Sequence, residues 1–73
     1  MLRNMKKFYD QLNKIKDQVE EKLSEREDVY DDRSEKWQDS EKGQEYEDKT
    51  NELQEVFDNL EMTIESLETF LDI

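Results

Sequence analysis

The stretch Trp37-Gln38-Asp39-Ser40-Glu41-Lys42-Gly43 decides whether this chain is one long helix or two. It holds the only Gly of the sequence and its main concentration of turn-favouring residues. Ser40 is placed to act as an N-cap, its hydroxyl accepting from an amide of the next turn that has no partner within the helix. Glu41 follows where the positive end of a helix dipole favours an anion. Gly43 falls either in the first turn of that helix or in the turn itself. The alternative, an uninterrupted helix of about 100 Å at 1.5 Å per residue, needs a partner along its whole length. Because the apolar phase changes across this stretch, a reversal is expected. The fold read from the sequence is all-α: an antiparallel two-helix hairpin, coiled-coil-like, with helix 1 at about 3–37, a turn at about 38–43 and helix 2 at about 41–71.

Upstream of the turn, Met5, Phe8, Leu12, Ile15 and Val19 recur in alternating steps of three and four, the spacing that lines one face of a helix. Beyond Val19 the stripe moves over by one position to Leu23, Tyr30 and Trp37, and the earlier register holds Lys22, Arg26, Val29, Arg33 and Lys36. Long basic stems at such positions lie along apolar surface with their charges in water, so a weaker, more mobile pairing is expected there. Downstream the pattern is more regular. Tyr46, Leu53, Leu60 and Leu67 fall seven apart, as do Thr50, Phe57, Ile64 and Leu71. Val56 and Phe70 flank these rows and widen the apolar face beyond a two-stranded seam, as suits a three- or four-helix bundle. The set expected to serve helix packing or the dimer contact is therefore Leu12, Ile15, Val19, Leu23, Trp37, Tyr46, Leu53, Phe57, Leu60, Ile64, Leu67 and Leu71.

Composition narrows the function classes. The 73 residues include no His, Cys, Pro or Ala, which argues against a disulfide framework, imidazole or thiolate metal sites, Cys or Ser-His nucleophiles and a Gly-rich phosphate loop. A non-catalytic protein without cofactor or metal is expected. Asp28, Asp31, Asp32, Glu35, Asp39 and Glu41 cluster near the turn but lack the alternating acids, central Gly and closing Glu of a calcium loop. No apolar run is long enough to span a bilayer and the start does not read as a secretory signal, so a cytoplasmic protein is expected.

Acids outnumber bases 22 to 11, giving a formal net charge of -11. Residues 1–36 carry a net -1 and residues 37–73 a net -10. The first helix begins with Arg3, Lys6, Lys7, Lys14 and Lys16, which an antiparallel hairpin sets beside Glu61, Glu65, Glu68 and Asp72. Each exposed pair contributes only about 0–1 kcal/mol, enough to choose orientation but not to hold the fold. This attraction also explains the basic start without membrane or nucleic-acid binding, which the remaining charge opposes. A 73-residue chain buries little, and ordering costs roughly 1.5 kcal/mol per residue, so self-association is expected, most simply a homodimer forming a four-helix bundle.

The candidate partner-binding surface is the acidic face of the second helix: Glu45, Asp48, Glu52, Glu55, Asp58, Glu61, Glu65, Glu68 and Asp72. They recur about every 5 Å of helix axis, against one phosphate per 3.4 Å of a DNA strand. Such a rod offers a basic nucleic-acid-binding protein an alternative ligand. A solvated face that serves solubility alone predicts no such binding. Tyr9, Tyr30, Trp37 and Tyr46 lie on or beside the apolar stripes, as packing residues or, near Trp37, as a hot spot for another protein. Met62 falls on the outward row among acids.

The run Arg33-Ser34-Glu35-Lys36-Trp37-Gln38-Asp39-Ser40-Glu41-Lys42-Gly43, followed by Asn51-Glu52-Leu53-Gln54-Glu55-Val56-Phe57-Asp58-Asn59-Leu60-Glu61, resembles small acidic helical proteins encoded by bacterial phages and mobile elements. The resemblance covers roughly half the chain. It carries no functional residues over. It implies a mobile-element protein, a group that includes inhibitors of host nucleases and other defence proteins. The expected function is thus an acidic protein-binding module of the phage-inhibitor type that occupies the nucleic-acid site of a host protein by DNA mimicry. The alternative is an assembly coiled coil that binds a partner helix through its apolar and aromatic face.

Overall fold

Amphipathic helices as polar as these bury their apolar rows only against one another, and the chain doubles back to do so. The computed structural model describes residues 2–73, with side chains from Met5 onward. Helix α1 spans Leu2–Asp31, a single turn of helix α2 spans Glu35–Gln38, and helix α3 spans Glu41–Leu71. α1 and α3 pack antiparallel as a helical hairpin with extents of 54 × 15 × 14 Å.

On α3 the two heptad rows face inward: Tyr46, Leu53, Leu60 and Leu67 with Thr50, Phe57, Ile64 and Leu71 are all buried or half-buried. On α1 the inward face is rotated from the expected stripe. The half-buried or buried rows are Met5, Leu12, Val19 and Arg26 with Tyr9, Lys16, Leu23 and Tyr30. Phe8 and Ile15 lie on the flank instead, and Ile15 is 44% exposed, so it is not a packing residue within the hairpin. The reason is that Leu12 and Val19 belong to either face, and Leu23 and Tyr30 pull the seam toward their own row. Among the described residues, Leu23 and Ile64 are the buried large apolar side chains.

The expected helix through residue 37 is corrected: α1 ends at Asp31. Ser34 takes an extended backbone (φ -65°, ψ 154°) and its hydroxyl accepts from the Trp37 amide at 3.2 Å, which starts α2. Gln38 closes α1 from outside: its Nε2 donates to the Tyr30 carbonyl at 2.8 Å and to that of Arg33 at 3.3 Å. Ser40 then caps α3 as expected, accepting from the Gly43 amide at 3.2 Å while donating to the Trp37 carbonyl. The turn is thus longer than 38–43, running from Asp32 to Ser40 around two caps.

Gly43 lies in the first turn of α3 and is buried. Its φ is not positive, so conformational freedom is not the reason for glycine here. A Cβ at this position would stand 2.6 Å from the Gln38 carbonyl oxygen and closer still to that of Trp37. Gly43 is what lets the connecting helix press against α3. At the far end Asp72 adopts the left-handed conformation (φ 60°), and the Ile73 amide donates to the Glu68 carbonyl at 3.1 Å, a Schellman closure.

Candidate functional site

Near the turn the seam is held by a polar and aromatic cluster. Arg26, in the inward row of α1, reaches Thr50 and Tyr46 of α3: its Nε donates to Thr50 Oγ1 at 2.9 Å, an Nη to the Tyr46 carbonyl at 3.1 Å, and its guanidinium carbon lies 4.0 Å from the Tyr46 ring centroid. The rings of Tyr30 and Trp37 meet edge to face at 6.1 Å, and those of Trp37 and Tyr46 at 5.8 Å. Arg33 stacks on the other side of Trp37 at 4.4 Å. Beyond Val19, where the seam is mixed, Arg26 at a seam position finds two acceptors and an aromatic face. Trp37 is half-buried in this cluster and acts first as a packing residue.

The register of this contact fixes which rows share a side of the hairpin. Arg26 separates two grooves. One is lined by Glu27, Tyr30, Asp31, Glu47 and Asn51, the other by Lys42, Glu45, Tyr46, Asp48 and Lys49. A third groove continues the first side toward the opposite end, with Tyr9, Asn13, Lys16, Glu61, Glu65 and Glu68. In an antiparallel pair, like flanks of the two helices meet, and these linings place them.

Charge divides sharply between the two sides. On the first, α1 supplies Asp10, Asp17, Glu20, Glu27 and Asp31, and α3 supplies Glu47, Asp58, Glu61, Glu65 and Glu68, against the bases Lys6 and the groove-lining Lys16. On the second, Lys22, Lys42 and Lys49 stand with Glu25, Glu45 and Glu52, and the closed ion pairs among the described residues, Lys22–Glu25 at 3.1 Å and Lys49–Glu52 at 3.3 Å, are both here. At the acidic side, the Tyr30 pKa is raised above the ordinary phenol value by hydrogen bonding to the Glu47 carboxylate, then by desolvation and by the negative charges of Glu47, Asp39 and Asp31.

The expected acidic set does not form one straight face. Steps of three outnumber steps of four among these residues, so their row drifts about half a turn around α3 along its length. Glu45, Asp48 and Glu52 fall on the balanced side, Glu55 on the back, and Asp58, Glu61, Glu65, Glu68 and the cap residue Asp72 on the acidic side. All are exposed except the half-buried Glu68. The sequence reading missed Glu47 and the α1 acids that complete this surface; the antiparallel register, applied to both helices, is the signal that finds them. Lys16 lines the groove with Glu61, Glu65 and Glu68 but is not among the closed ion pairs of the described residues, while Arg3 falls outside the described side chains. No described helix is long and apolar enough to cross a membrane, and the described residues contain no acid cluster grouped to hold a metal ion.

No protein-family model matches this chain, and neither a curated protein nor a solved structure matches it.

Proposed function

We propose that this protein is a non-catalytic acidic binding module that engages the basic surface of a nucleic-acid-binding protein, in the manner of a phage-type inhibitor acting by DNA mimicry. The observation that carries this reading is the gathering of acids from both helices on one side of the hairpin while the other side is balanced. Charge that served solubility alone would be spread over both sides. From Glu47 to Asp72 the acidic side extends about 37 Å at helical rise, with the α1 acids beside it, and a positive groove that normally releases counterions on binding DNA gains the same from this surface. The working unit is a homodimer, two hairpins forming a four-helix bundle, because a hairpin with so small a core gains little against its ordering entropy. The host cytoplasm is the compartment this role requires.

The test is a pulldown from bacterial lysate at low and high salt, repeated with Glu61→Lys, Glu65→Lys and Glu68→Lys combined. Capture of a nucleic-acid-binding protein at low salt, lost at high salt and lost in the triple variant, supports the reading. Capture that survives both changes overturns it. The second reading, an assembly coiled coil, is favoured by the exposure of Phe8, Ile15, Val56 and Phe70, and predicts salt-resistant binding that these charge reversals leave intact.

A further inference from the structure

The balanced side of the hairpin carries a feature the proposed acidic site does not use. Phe8, Ile15 and Val29 of α1 share one heptad row, interrupted by Lys22, and Val56 and Phe70 of α3 share another, interrupted by Thr63; antiparallel pairing brings the two rows side by side. All five are exposed, from 44% at Ile15 to 65% at Phe70. Of the large apolar side chains left exposed among the described residues, only Met62 and the terminal Ile73 stand outside these rows. Within the helices the chain therefore sorts its surplus apolar surface to one side and its surplus negative charge to the other.

We infer that this stripe is the two-fold interface through which a second copy of the chain completes the four-helix bundle. The inference rests on the self-association proposed above and names its face. The occupant follows from charge. Two chains of net charge -11 repel wherever their acidic rows meet, and the balanced side is where they approach without that repulsion. Its bases Lys22, Lys42 and Lys49 nearly match its acids Glu25, Glu45, Glu52 and Asp48, and Lys22 and Lys49 are already paired with Glu25 and Glu52. Toward the Phe8 and Phe70 end the intervening positions are Gln11, Gln18, Asn59 and Ser66, all uncharged. Burying the stripe also supplies apolar area that the hairpin lacks, since Leu23 and Ile64 are the only large apolar side chains buried within it among the described residues. An isologous contact leaves both acidic sides outward, one on each edge of the bundle.

Sedimentation equilibrium over a range of concentrations tests this, with Ile15→Glu and Val56→Glu combined and with Met62→Glu as the exposed control on the back of α3. The expected result is twice the chain mass for the unaltered protein and for the control, and a dissociation constant raised about 100-fold or more in the double variant. If the double variant loses its helical circular dichroism, a cysteine probe replaces it, since the chain has no Cys. Val56→Cys should be alkylated about tenfold more slowly than Met62→Cys at high concentration, and the two rates should converge on dilution. A single-chain mass for the unaltered protein at every concentration overturns self-association itself. A persistent dimer in the folded double variant, or equal alkylation of the two cysteines in a dimer, overturns this face alone. Monomeric protein whose stripe is covered by a different captured protein overturns the second copy as its occupant.

Discussion

Arg26 donates across the hairpin to Thr50, Nε to Oγ1 at 2.9 Å, from a position that a coiled-coil seam ordinarily gives to an apolar residue. Thr50 Oγ1 in turn donates to the Tyr46 carbonyl at 3.1 Å, the same carbonyl that Arg26 reaches with its second nitrogen. The contact joins sites 24 residues apart in the chain and sets the register of α1 on α3.

Arg26→Ala is therefore expected to destabilise the fold by about 2 kcal/mol, since it removes two charge-assisted bonds and the stacking on Tyr46. Thr50→Val keeps the shape and should lose about 1 kcal/mol. Denaturant unfolding at fixed chain concentration on the two single variants and the double should give a coupling of about 1 kcal/mol. Additive losses would mean that the two side chains do not act as a unit.

Gly43→Ala offers a test in which helix propensity and packing disagree. Propensity alone makes Ala about 1 kcal/mol better within a helix. The added Cβ, however, meets the backbone oxygens of Trp37 and Gln38, which are not the ends of flexible side chains and cannot swing aside. A loss of about 3 kcal/mol is expected, with reduced Trp37 burial seen as a red shift of its fluorescence. A variant as stable as the parent would contradict the close approach of α2 to α3.

The Tyr30 phenol should titrate above the ordinary phenol value in an ultraviolet titration, because Glu47 favours its protonated form. A raised folded-state pKa contributes stability that is complete below the unfolded value of 10.0 and is lost as pH rises through the folded value. The thermal midpoint should accordingly fall above about pH 10, and Glu47→Gln should flatten that fall. Identical alkaline profiles for the two proteins would remove Glu47 as the cause.

Asp72→Gly should stabilise. Asp72 holds a left-handed conformation that glycine adopts without steric penalty, and its carboxylate sits at the negative end of the α3 dipole. A gain of about 1 kcal/mol is expected in thermal or denaturant unfolding. A loss would indicate that the Asp72 carboxylate makes a stabilising contact that its conformation and dipole position do not suggest.

How much of this was legible beforehand depended on whether the information was local. The Ser40 cap, the start of α3 and its two heptad rows are set by residues within a few positions of one another, and periodicity reads them directly. α1 was ambiguous by one row, because Met5, Leu12 and Val19 pair equally well with Phe8 and Ile15 or with Tyr9 and Leu23, and local spacing does not choose between them. Its end at Asp31 depends on Gln38 folding back to the Tyr30 carbonyl, a contact across the turn that no helical window contains.

The sequence by itself determined that the chain makes two amphipathic helices, that they reverse near Ser40 and that most of the net charge lies in the second half. Only the tertiary structure decided which sides those charges occupy. Acid rows on α1 and α3 belong to one surface, and the rows of Phe8 and Phe70 to another, only when the helices are antiparallel and rotated as Arg26 and Thr50 hold them. Helical periodicity assigns each residue to a face of its own helix, and a shared surface between two helices exists only once their relative rotation is fixed.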